Sequence, residues 1–375
     1  MNTKTTNWTR LLWLIAGVGF LVGLYGLYDR IVAGHAHAAY GSYVPWGLWV
    51  AAYTMLVGVS AGAFATAAVI YVRQRAPWYN VARTALLVAL AALAGGMLSV
   101  LLDLGHPERF WRLFLSTNFT SIMGLMNWFY TAYGIILIVM LWYAWTNPHH
   151  ASLRYLSFLA VPFAIMFSGA EGALFGVVGA RPLWESGLTP ILFLTEAALA
   201  GVAAVTVGAF LFDQLDDHKA GVLGRTLIAL LAVLALFEWA EYSTGLYAGV
   251  PAKVEAMRTI LFGPYWWVFW FIHLGLGIVA PLALLALGSI NRITASIAGT
   301  FVVIAAIASK LNLIIPALAH AEIEGLEHAF TGPGLTFDYF PTLPEWMLFI
   351  WIVSLALLIF LGGNIMLPRI QKEVK

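Results

Sequence analysis

Long runs of apolar residues, separated by short polar segments, occupy most of this 375-residue chain. A helix needs about 20 consecutive apolar residues to cross the hydrocarbon core of a membrane. Ten runs reach that length, and they lie at 8–28, 46–71, 84–103, 123–145, 154–178, 189–212, 225–249, 264–287, 293–318 and 344–367. The first run is too long for the core of a cleaved signal peptide, so we expect a retained helix. The pattern predicts an all-α polytopic membrane protein with about ten transmembrane helices.

Composition supports this fold class and excludes several others. Apolar residues make up 62% of the chain and charged residues only 10%, whereas ordinary soluble domains contain about 25% charged residues. The net charge of +1 and the lack of a basic stripe argue against nucleic-acid binding. The sequence contains no cysteine. This excludes disulfides, cysteine-bound iron–sulfur clusters, cysteine-ligated zinc and covalently attached c-type haem within the chain.

The distribution of basic residues predicts the orientation in the membrane. Ten helices place both termini on one side, here called side A, and the opposite side is called side B. Of the 19 Lys and Arg residues, twelve fall on side A and six on side B, and Lys310 falls inside a helix. The positive-inside rule therefore predicts that side A, with both termini, is cytoplasmic.

The longer connecting segments lie on side B, at 29–45, 104–122, 250–263 and 319–343, and they are rich in aromatic residues, Pro and Gly. Either they form a receptor surface for another protein, or they only cap helix ends.

Small residues recur inside two helices, at 58–63 and 197–201, where they allow close helix packing. This repetition suggests two four-helix bundles, 46–178 and 189–318, with flanking helices and loops at 1–45 and 319–375. The whole chain, 1–375, is then a single integral membrane domain.

Ionisable residues inside membrane helices are energetically unfavourable, so each one is a candidate functional residue. The set comprises Glu171, Glu196, Glu238, Glu241, His273 and Lys310. Helix directions place this set toward side B, and we interpret it as a proton relay. Glu238 and Glu241 are three positions apart and share a helix face, which suits proton transfer. They are equally suited to a structural role as salt-bridge partners of Lys310, and the two interpretations are compatible.

The histidines do not support a haem site. A haem b held by two histidines needs both inside the membrane at matched depth, and only His273 of the nine histidines lies deep in a predicted helix. We therefore expect no haem and no metal in this chain.

The segment after the third helix, 103–112, is the densest group of polar residues in the sequence. Gly105 and Pro107 end the helix there. Asp103 and His106 are candidates for a proton partner and a hydrogen-bond donor to a quinone head group, which also needs apolar walls. The neighbouring basic residues are candidates for docking a partner protein, and these are Arg109 and Arg112. Alternatively, the segment is an interfacial belt in which the arginines contact lipid phosphates.

Several short motifs, in the same order along nearly the whole chain, resemble those of the NrfD/PsrC-like family. These are membrane subunits of polysulfide reductase and related complexes, and the similarity is greatest to the ten-helix branch found in uptake hydrogenases. The resembling segments are 43–49, 60–62, 103–105, 118–121, 182–184 and 339–345, which read YVPWGLW, SAG, DLG, NFTS, PLW and YFPTLPE.

The resemblance implies a quinone-reacting subunit of a respiratory oxidoreductase in the cell inner (plasma) membrane, with no redox centre of its own. Its substrate is then menaquinone or ubiquinone. Its partners are an iron–sulfur subunit with several clusters on the outer face and a catalytic subunit that is a hydrogenase, a molybdenum enzyme or a cytochrome. The quinone site is expected in the first bundle near that face, and the matching positions are Trp46, Asp103, Asn118, Ser121 and Glu171. Tyr130 and Tyr133 on the fourth helix are further candidates by position.

Three other functions remain open from the sequence. A proton-translocating subunit without its own quinone site would depend on Glu238 and Glu241 but not on Asp103 and His106. A secondary transporter is favoured by helices broken at the midplane, and no clear pair of breaks is present. A passive membrane anchor would not need any of the buried charges.

Overall fold

The computed structural model describes residues 7–321, 325–330 and 332–366. Within these ranges, ten helices are long and apolar enough to cross a membrane, which confirms the predicted fold class. They are α1 (Asn7–Ala33), α2 (Leu48–Val72), α3 (Tyr79–Asp103), α4 (Ile122–Thr146), α5 (Ser152–Gly176), α6 (Thr189–Leu211), α7 (Asp217–Ala248), α8 (Val268–Ala286), α9 (Arg292–Leu318) and α10 (Leu343–Met366). The predicted end of the tenth helix, residue 367, lies outside the described residues, as do parts of the predicted flanking segments 1–45 and 319–375.

Two helices begin at least five residues earlier than hydropathy predicts. Helix α7 starts at Asp217 rather than at 225, because the side chain of Asp216 caps it by accepting a 2.8 Å hydrogen bond from the backbone N–H of Lys219. Its first turn is polar and therefore invisible to an apolar window. Helix α3 starts at Tyr79 rather than at 84, directly after a 3₁₀ turn over Ala76–Trp78.

The predicted side-B loops contain short helices. Pro251–Phe262 forms a helix that fills most of the predicted loop 250–263, and proline at its first position is favourable because no N–H is needed there. The segment after α3 holds a 3₁₀ turn, Pro107–Arg109, and one helical turn, Arg112–Leu115. A further turn spans Leu326–Ala329. The described side-B segments therefore contain more helix than their loop-like sequence indicates.

Helix α8 is irregular. Residues Val268–Val279 form a π-helix, which continues as an ordinary α-helix over Ala280–Ala286. The wider π turn changes the direction of each side chain relative to an α-helix, and such segments concentrate at functional sites. His273 lies in the middle of the π segment.

Helices α2 and α6 form the centre of the molecule, and glycine determines how closely they approach. A β-carbon at Gly62 would overlap the carbonyl oxygen of Ala197, and a β-carbon at Gly201 would overlap the backbone of Gly62. Only glycine permits this contact between the two backbones. The small-residue stretches found in the sequence are therefore the crossing point of α2 and α6.

The other helices surround this central pair. Helix α2 also packs on α3 and α5, and α5 packs on α4; helix α6 packs on α7 and α9, and α9 packs on α8. We refer to α2–α5 as the first bundle and to α6–α9 as the second bundle. Helix α1 packs along α10, which leans on α3, so this pair lies beside the first bundle.

One carboxylate connects the side-B segments. Glu345, fully buried at the start of α10, accepts hydrogen bonds from the Tyr339 hydroxyl at 2.5 Å and from the backbone N–H groups of Ala39 and Thr342, both at 2.9 Å. The Tyr339 oxygen in turn accepts from the backbone N–H of Leu48 at 2.8 Å. The segment before α2, the start of α2 and the segment before α10 are thereby held together.

We expect Glu345→Ala to destabilise this side of the protein. It leaves several buried donors without an acceptor, and each such loss costs about 1–3 kcal/mol. Thermal unfolding in detergent should occur at a lower temperature, and limited proteolysis should cut within 34–47 faster. Asp338→Ala, at an exposed carboxylate in the segment before α10, is the matched control and should behave as the wild type. Equal unfolding temperatures for Glu345→Ala and the wild type would contradict this role.

Candidate functional site

A buried polar cluster lies inside the side-B half of the first bundle. The hydroxyls of Tyr53 on α2 and Tyr130 on α4 are hydrogen-bonded at 2.5 Å. Glu171 on α5 is only 1% exposed, and the Tyr53 hydroxyl lies near its carboxylate without meeting hydrogen-bond geometry. The ring of Phe167, one turn before Glu171, packs on Tyr130 with 5.2 Å between ring centroids. The cluster thus combines two hydroxyls, a carboxylate and an aromatic wall.

Two polar side chains of α5 have unused hydrogen-bonding capacity. Among the described residues, no partner is found for either carboxylate oxygen of Glu171 or for the hydroxyl of Ser168. Most buried polar atoms in proteins are hydrogen-bonded, and the exceptions mark places where water or a ligand binds. Both residues line a cavity between the two bundles. Glu171 therefore has the tyrosine pair on one side and this cavity on the other.

An ion pair within the second bundle lines the same cavity. The ammonium of Lys310 on α9 donates to Glu196 on α6, and the hydroxyl of Ser309 donates to the same carboxylate. The Lys310 nitrogen also lies 3.5 Å from the centre of the Phe193 ring, a favourable cation–π distance. The predicted pairing of Lys310 with Glu238 or Glu241 is wrong, because α9 directs Lys310 toward α6.

Glu238 and Glu241 each have a partner of their own. Glu238 is 2.9 Å from Nε2 of His273, and Nδ1 of this histidine is 3.3 Å from the side-chain nitrogen of Asn312. Glu241 accepts a 2.7 Å hydrogen bond from the ammonium of Lys253. A second 2.7 Å hydrogen bond reaches Glu241 from the hydroxyl of Ser186. The two carboxylates therefore do not form a directly interacting pair, although they line one cavity.

Two adjoining cavities connect these groups. The first is lined by Glu171, Ser168 and Lys310 among others, and the second by Glu238, Glu241 and Asn312 among others. Both are lined by Phe193, Glu196, His273 and Ser309. The polar side chains that line the two cavities therefore form a series parallel to the membrane plane, from α5 in the first bundle to α7 in the second.

The members of this series on the membrane-spanning helices lie in the side-B halves of those helices. With a rise of about 1.5 Å per residue, Glu171 is about 8 Å from the side-B end of α5, and Glu238 is about 15 Å from the side-B end of α7. In the described helices, the side-A halves contain no Asp, Glu or His beyond the first helical turn. The predicted skew of buried charges toward side B is thus a feature of the fold.

The segment after α3 does not bring Asp103 and His106 together. Asp103 accepts a 2.8 Å hydrogen bond from the Tyr40 hydroxyl, whereas the ring of His106 is 65% exposed and lies 3.1 Å from Glu108. Burial, reinforced by the neighbouring charge of Asp103, raises the pKa of Tyr40 well above its usual value. Its hydroxyl therefore stays protonated and remains a donor to Asp103.

Two other predicted quinone-site residues, the partly buried Trp46 and the fully buried Tyr133, lie near the cluster but outside it. The Trp46 ring stacks on Trp184 with 5.8 Å between centroids and meets Phe175, one turn beyond Glu171, at 6.0 Å. The Tyr133 hydroxyl is 3.0 Å from the Ser60 hydroxyl, deeper in the first bundle than Tyr130.

The remaining predicted residues lie at the side-B surface. Asn118 is exposed and accepts hydrogen bonds from the backbone and side chain of Thr120. Ser121 precedes α4 and makes no side-chain cap. Arg109 and Arg112 are exposed, so their position is compatible with the predicted docking role.

Sequence reasoning missed several members of the series, namely Tyr53, Ser168, Lys253, Ser309 and Asn312. Tyr53 lies in an apolar run, where an aromatic side chain is expected to pack in the core. Asn312 had a usable signal, because an amide two positions from Lys310 in a membrane helix also needs a partner. Ser309 and Ser168 carry hydroxyls that usually bond to their own helix backbone, so sequence alone gives no reason to select them.

Comparisons with known proteins agree with this architecture. Residues 37–322 match the family model described as polysulphide reductase, NrfD, which confirms the resemblance of the motifs. The chain is 29% identical to a subunit of the selenate reductase of Mesobacillus selenatarsenatis, over 94% of this chain and 92% of that protein. It is 28% identical to the Hdr-like menaquinol oxidoreductase integral membrane subunit of Archaeoglobus fulgidus, over 85% and 84%. It is 22% identical to the menaquinone reductase integral membrane subunit of Nitratidesulfovibrio vulgaris, over 94% and 90%.

Proposed function

Because the chain belongs to the NrfD family of polysulphide reductase membrane proteins, we propose that it is the quinone-reacting membrane subunit of a respiratory oxidoreductase. Two similar proteins carry menaquinol or menaquinone in their names. This supports a quinone as the substrate and favours menaquinone over ubiquinone. Electrons pass between this quinone and an iron–sulfur subunit docked on side B, and the complex also includes a catalytic subunit. Arg109 and Arg112 belong to the docking surface.

The observation that carries this proposal is the cluster of Tyr53, Tyr130 and Glu171. A quinone head group needs a hydrogen-bond donor at a carbonyl oxygen, a group that exchanges its proton, and apolar walls. One hydroxyl of the tyrosine pair donates to the other, whose own O–H donates to the quinone, and the carboxylate without a partner exchanges the proton. Tyr130 is only partly buried, so the head group reaches the cluster from the α4 side. Trp46 and Asp103 lie toward side B and line the approach.

The chain's own groups hold the substrate and move its protons. When a quinol is oxidised, its two electrons go to the partner's iron–sulfur centre and its two protons go to the protein. When a quinone is reduced, the same transfers run in reverse. Glu171 is the first proton carrier, and the ion-paired residues beyond it form the relay, in the order Glu196 with Lys310, then His273 with Glu238, then Glu241.

A proton-translocating function without a quinone site is the second candidate. The series of ion pairs in the second bundle favours it, because buried ionisable groups mark proton paths in membrane proteins. The two candidates differ at the first bundle. Only the quinone proposal requires Tyr53 and Tyr130.

The native complex, purified in mild detergent, provides the test. We expect an iron–sulfur protein to co-purify, menaquinone or ubiquinone to appear in an organic extract, and 2,3-dimethyl-1,4-naphthoquinol to reduce the complex's metal centres. Tyr53→Phe should raise the KM for this quinol about tenfold, because it removes one hydrogen bond from a buried site. Tyr25→Phe, at a lipid-exposed position of α1, is the matched control. A purified polypeptide with neither quinone nor partner, or an unchanged KM for Tyr53→Phe, would refute the assignment.

A further inference from the structure

The series of buried ionisable groups extends from Glu171 toward the second bundle. It is parallel to the membrane plane and does not cross the membrane. Lys310 and Glu196 lie beyond Glu171 along the first cavity, and His273 lines both cavities. Toward side A, the described helices offer no carboxylate or histidine beyond their first turn. The buried Arg83 on α3 stays protonated and does not carry a proton, and an apolar interior is a barrier to proton transfer. Side A is therefore not connected to Glu171 by such groups.

The series ends near the surface on side B. Glu241 lies one helical turn closer to the side-B end of α7 than Glu238. It accepts hydrogen bonds from Lys253 and Ser186. Lys253 belongs to the surface helix Pro251–Phe262, and Ser186 belongs to the segment between α5 and α6. Both partners of Glu241 therefore come from connecting segments on side B, so movement of either segment exposes this carboxylate to water.

Resting on the proposed quinone function, we infer that the protons of the quinone reaction are exchanged with the aqueous phase of side B through the second bundle, with Glu241 as the last carrier. Glu171 takes a proton at the quinone site. The Glu196–Lys310 pair on α6 and α9 and the His273–Glu238 pair on α8 and α7 pass it on. Glu241 then releases it beside Lys253.

Each step of this path has a structural basis. Glu196 lines both cavities, so a proton passes from the first cavity to the second at this residue. His273 has two ring nitrogens, one toward Glu238 and one toward Asn312, and an imidazole can accept a proton on one side and release it on the other. Its place in a π-helix gives the ring a position that an α-helix would not give it. The polar side chains that line both cavities can hold water molecules, which bridge the longer gaps.

The overall balance states where the electrons and the protons of the quinol go. For each quinol oxidised, two electrons reduce the partner's iron–sulfur centre, two protons leave through Glu241, and the quinone remains in the membrane. If the partner also docks on side B, electrons and protons leave on the same side. The reaction then moves no net charge across the membrane.

Proteoliposomes of the native complex test this directly. Vesicles of phosphatidylcholine contain menaquinol-4, valinomycin and internal pyranine, and membrane-impermeant ferricyanide is added outside. The oxidant selects complexes whose partner faces outward, and two ferricyanide ions are reduced per quinol. We expect two protons to appear outside per quinol and the internal pH to stay constant. Internal acidification would overturn the inference, whereas ferricyanide reduction no faster than in protein-free vesicles would overturn the proposed quinone function itself.

Two variants locate the exit. Glu241→Gln and Lys253→Met should each lower kcat about tenfold, leave the KM for menaquinol-4 unchanged and raise the H₂O/D₂O rate ratio, because proton release becomes rate-limiting. Glu255→Gln, at an exposed carboxylate of the same surface helix, is the matched control and should show wild-type rates. If Glu241→Gln and Lys253→Met assemble and turn over as the wild type while Glu171→Gln does not, the quinone site stands and this exit is refuted. The wild-type measurement of proton release decides the side even if a variant fails to assemble.

Discussion

Replacement of Glu171 by glutamine should lower kcat for quinone turnover about 100-fold, the usual effect of removing a group that transfers a proton in the reaction. Glutamine has the same shape and can still accept a hydrogen bond, but it cannot carry a proton. The KM for the quinol should stay within about twofold of the wild type, since the tyrosine pair still binds the head group. The buried carboxylate has no hydrogen-bond partner among the described residues, so the substitution breaks no internal hydrogen bond.

The measurement is single-turnover reduction of the complex's metal centres by 2,3-dimethyl-1,4-naphthoquinol, together with steady-state kinetics. Glu185→Gln, at an exposed carboxylate in the segment after α5, is the matched control. Thermal unfolding of Glu171→Gln should match the wild type, which separates a chemical role from a structural one. A variant that turns over at the wild-type rate would show that Glu171 does not receive the proton.

Hydropathy predicted the helices well because the membrane imposes the same requirement on every spanning segment. A backbone in hydrocarbon must satisfy its own hydrogen bonds, so an apolar run of sufficient length has to be a helix. The method fails where a helix leaves the hydrocarbon. The polar first turn of α7 and the surface helix Pro251–Phe262 depend on capping and on contacts with other segments, which an apolar window does not detect.

The candidate site was predictable in depth but not in pairing. Helix direction places Glu196, Glu241 and Lys310 in the side-B half from sequence alone. Which of them touch depends on the rotation of each helix about its axis, and a single residue step turns a side chain by about 100°. Lys310 therefore pairs with Glu196 although Glu238 or Glu241 was the expected partner. Tyr53 illustrates the complementary limit, because its role appears only when α4 and α5 bring Tyr130 and Glu171 beside it.

The Glu196–Lys310 pair also supports the fold, and Lys310→Met should show it. The substitution keeps the length of the side chain but leaves the carboxylate of Glu196 with only Ser309 as a partner. Removing one member of a buried ion pair costs about 3–5 kcal/mol, because the other charge stays out of water without compensation. The side chains of Lys310 and Glu196 are 7% and 18% exposed, so solvent screens this pair weakly. We expect lower yield of folded protein and a lower unfolding temperature in detergent.

A double variant distinguishes loss of an ion pair from loss of packing. Glu196→Gln added to Lys310→Met removes the uncompensated charge, so most of the lost stability should return. Quinone turnover should stay low in the double variant, because neither substituted residue carries a proton. Lys219→Met is the matched control at a surface pair, where Asp216 is 57% exposed and the expected loss is under about 1 kcal/mol. If the double variant is no more stable than Lys310→Met, packing rather than charge compensation accounts for the loss. If the double variant regains full turnover, the Glu196–Lys310 pair is not part of the proton path.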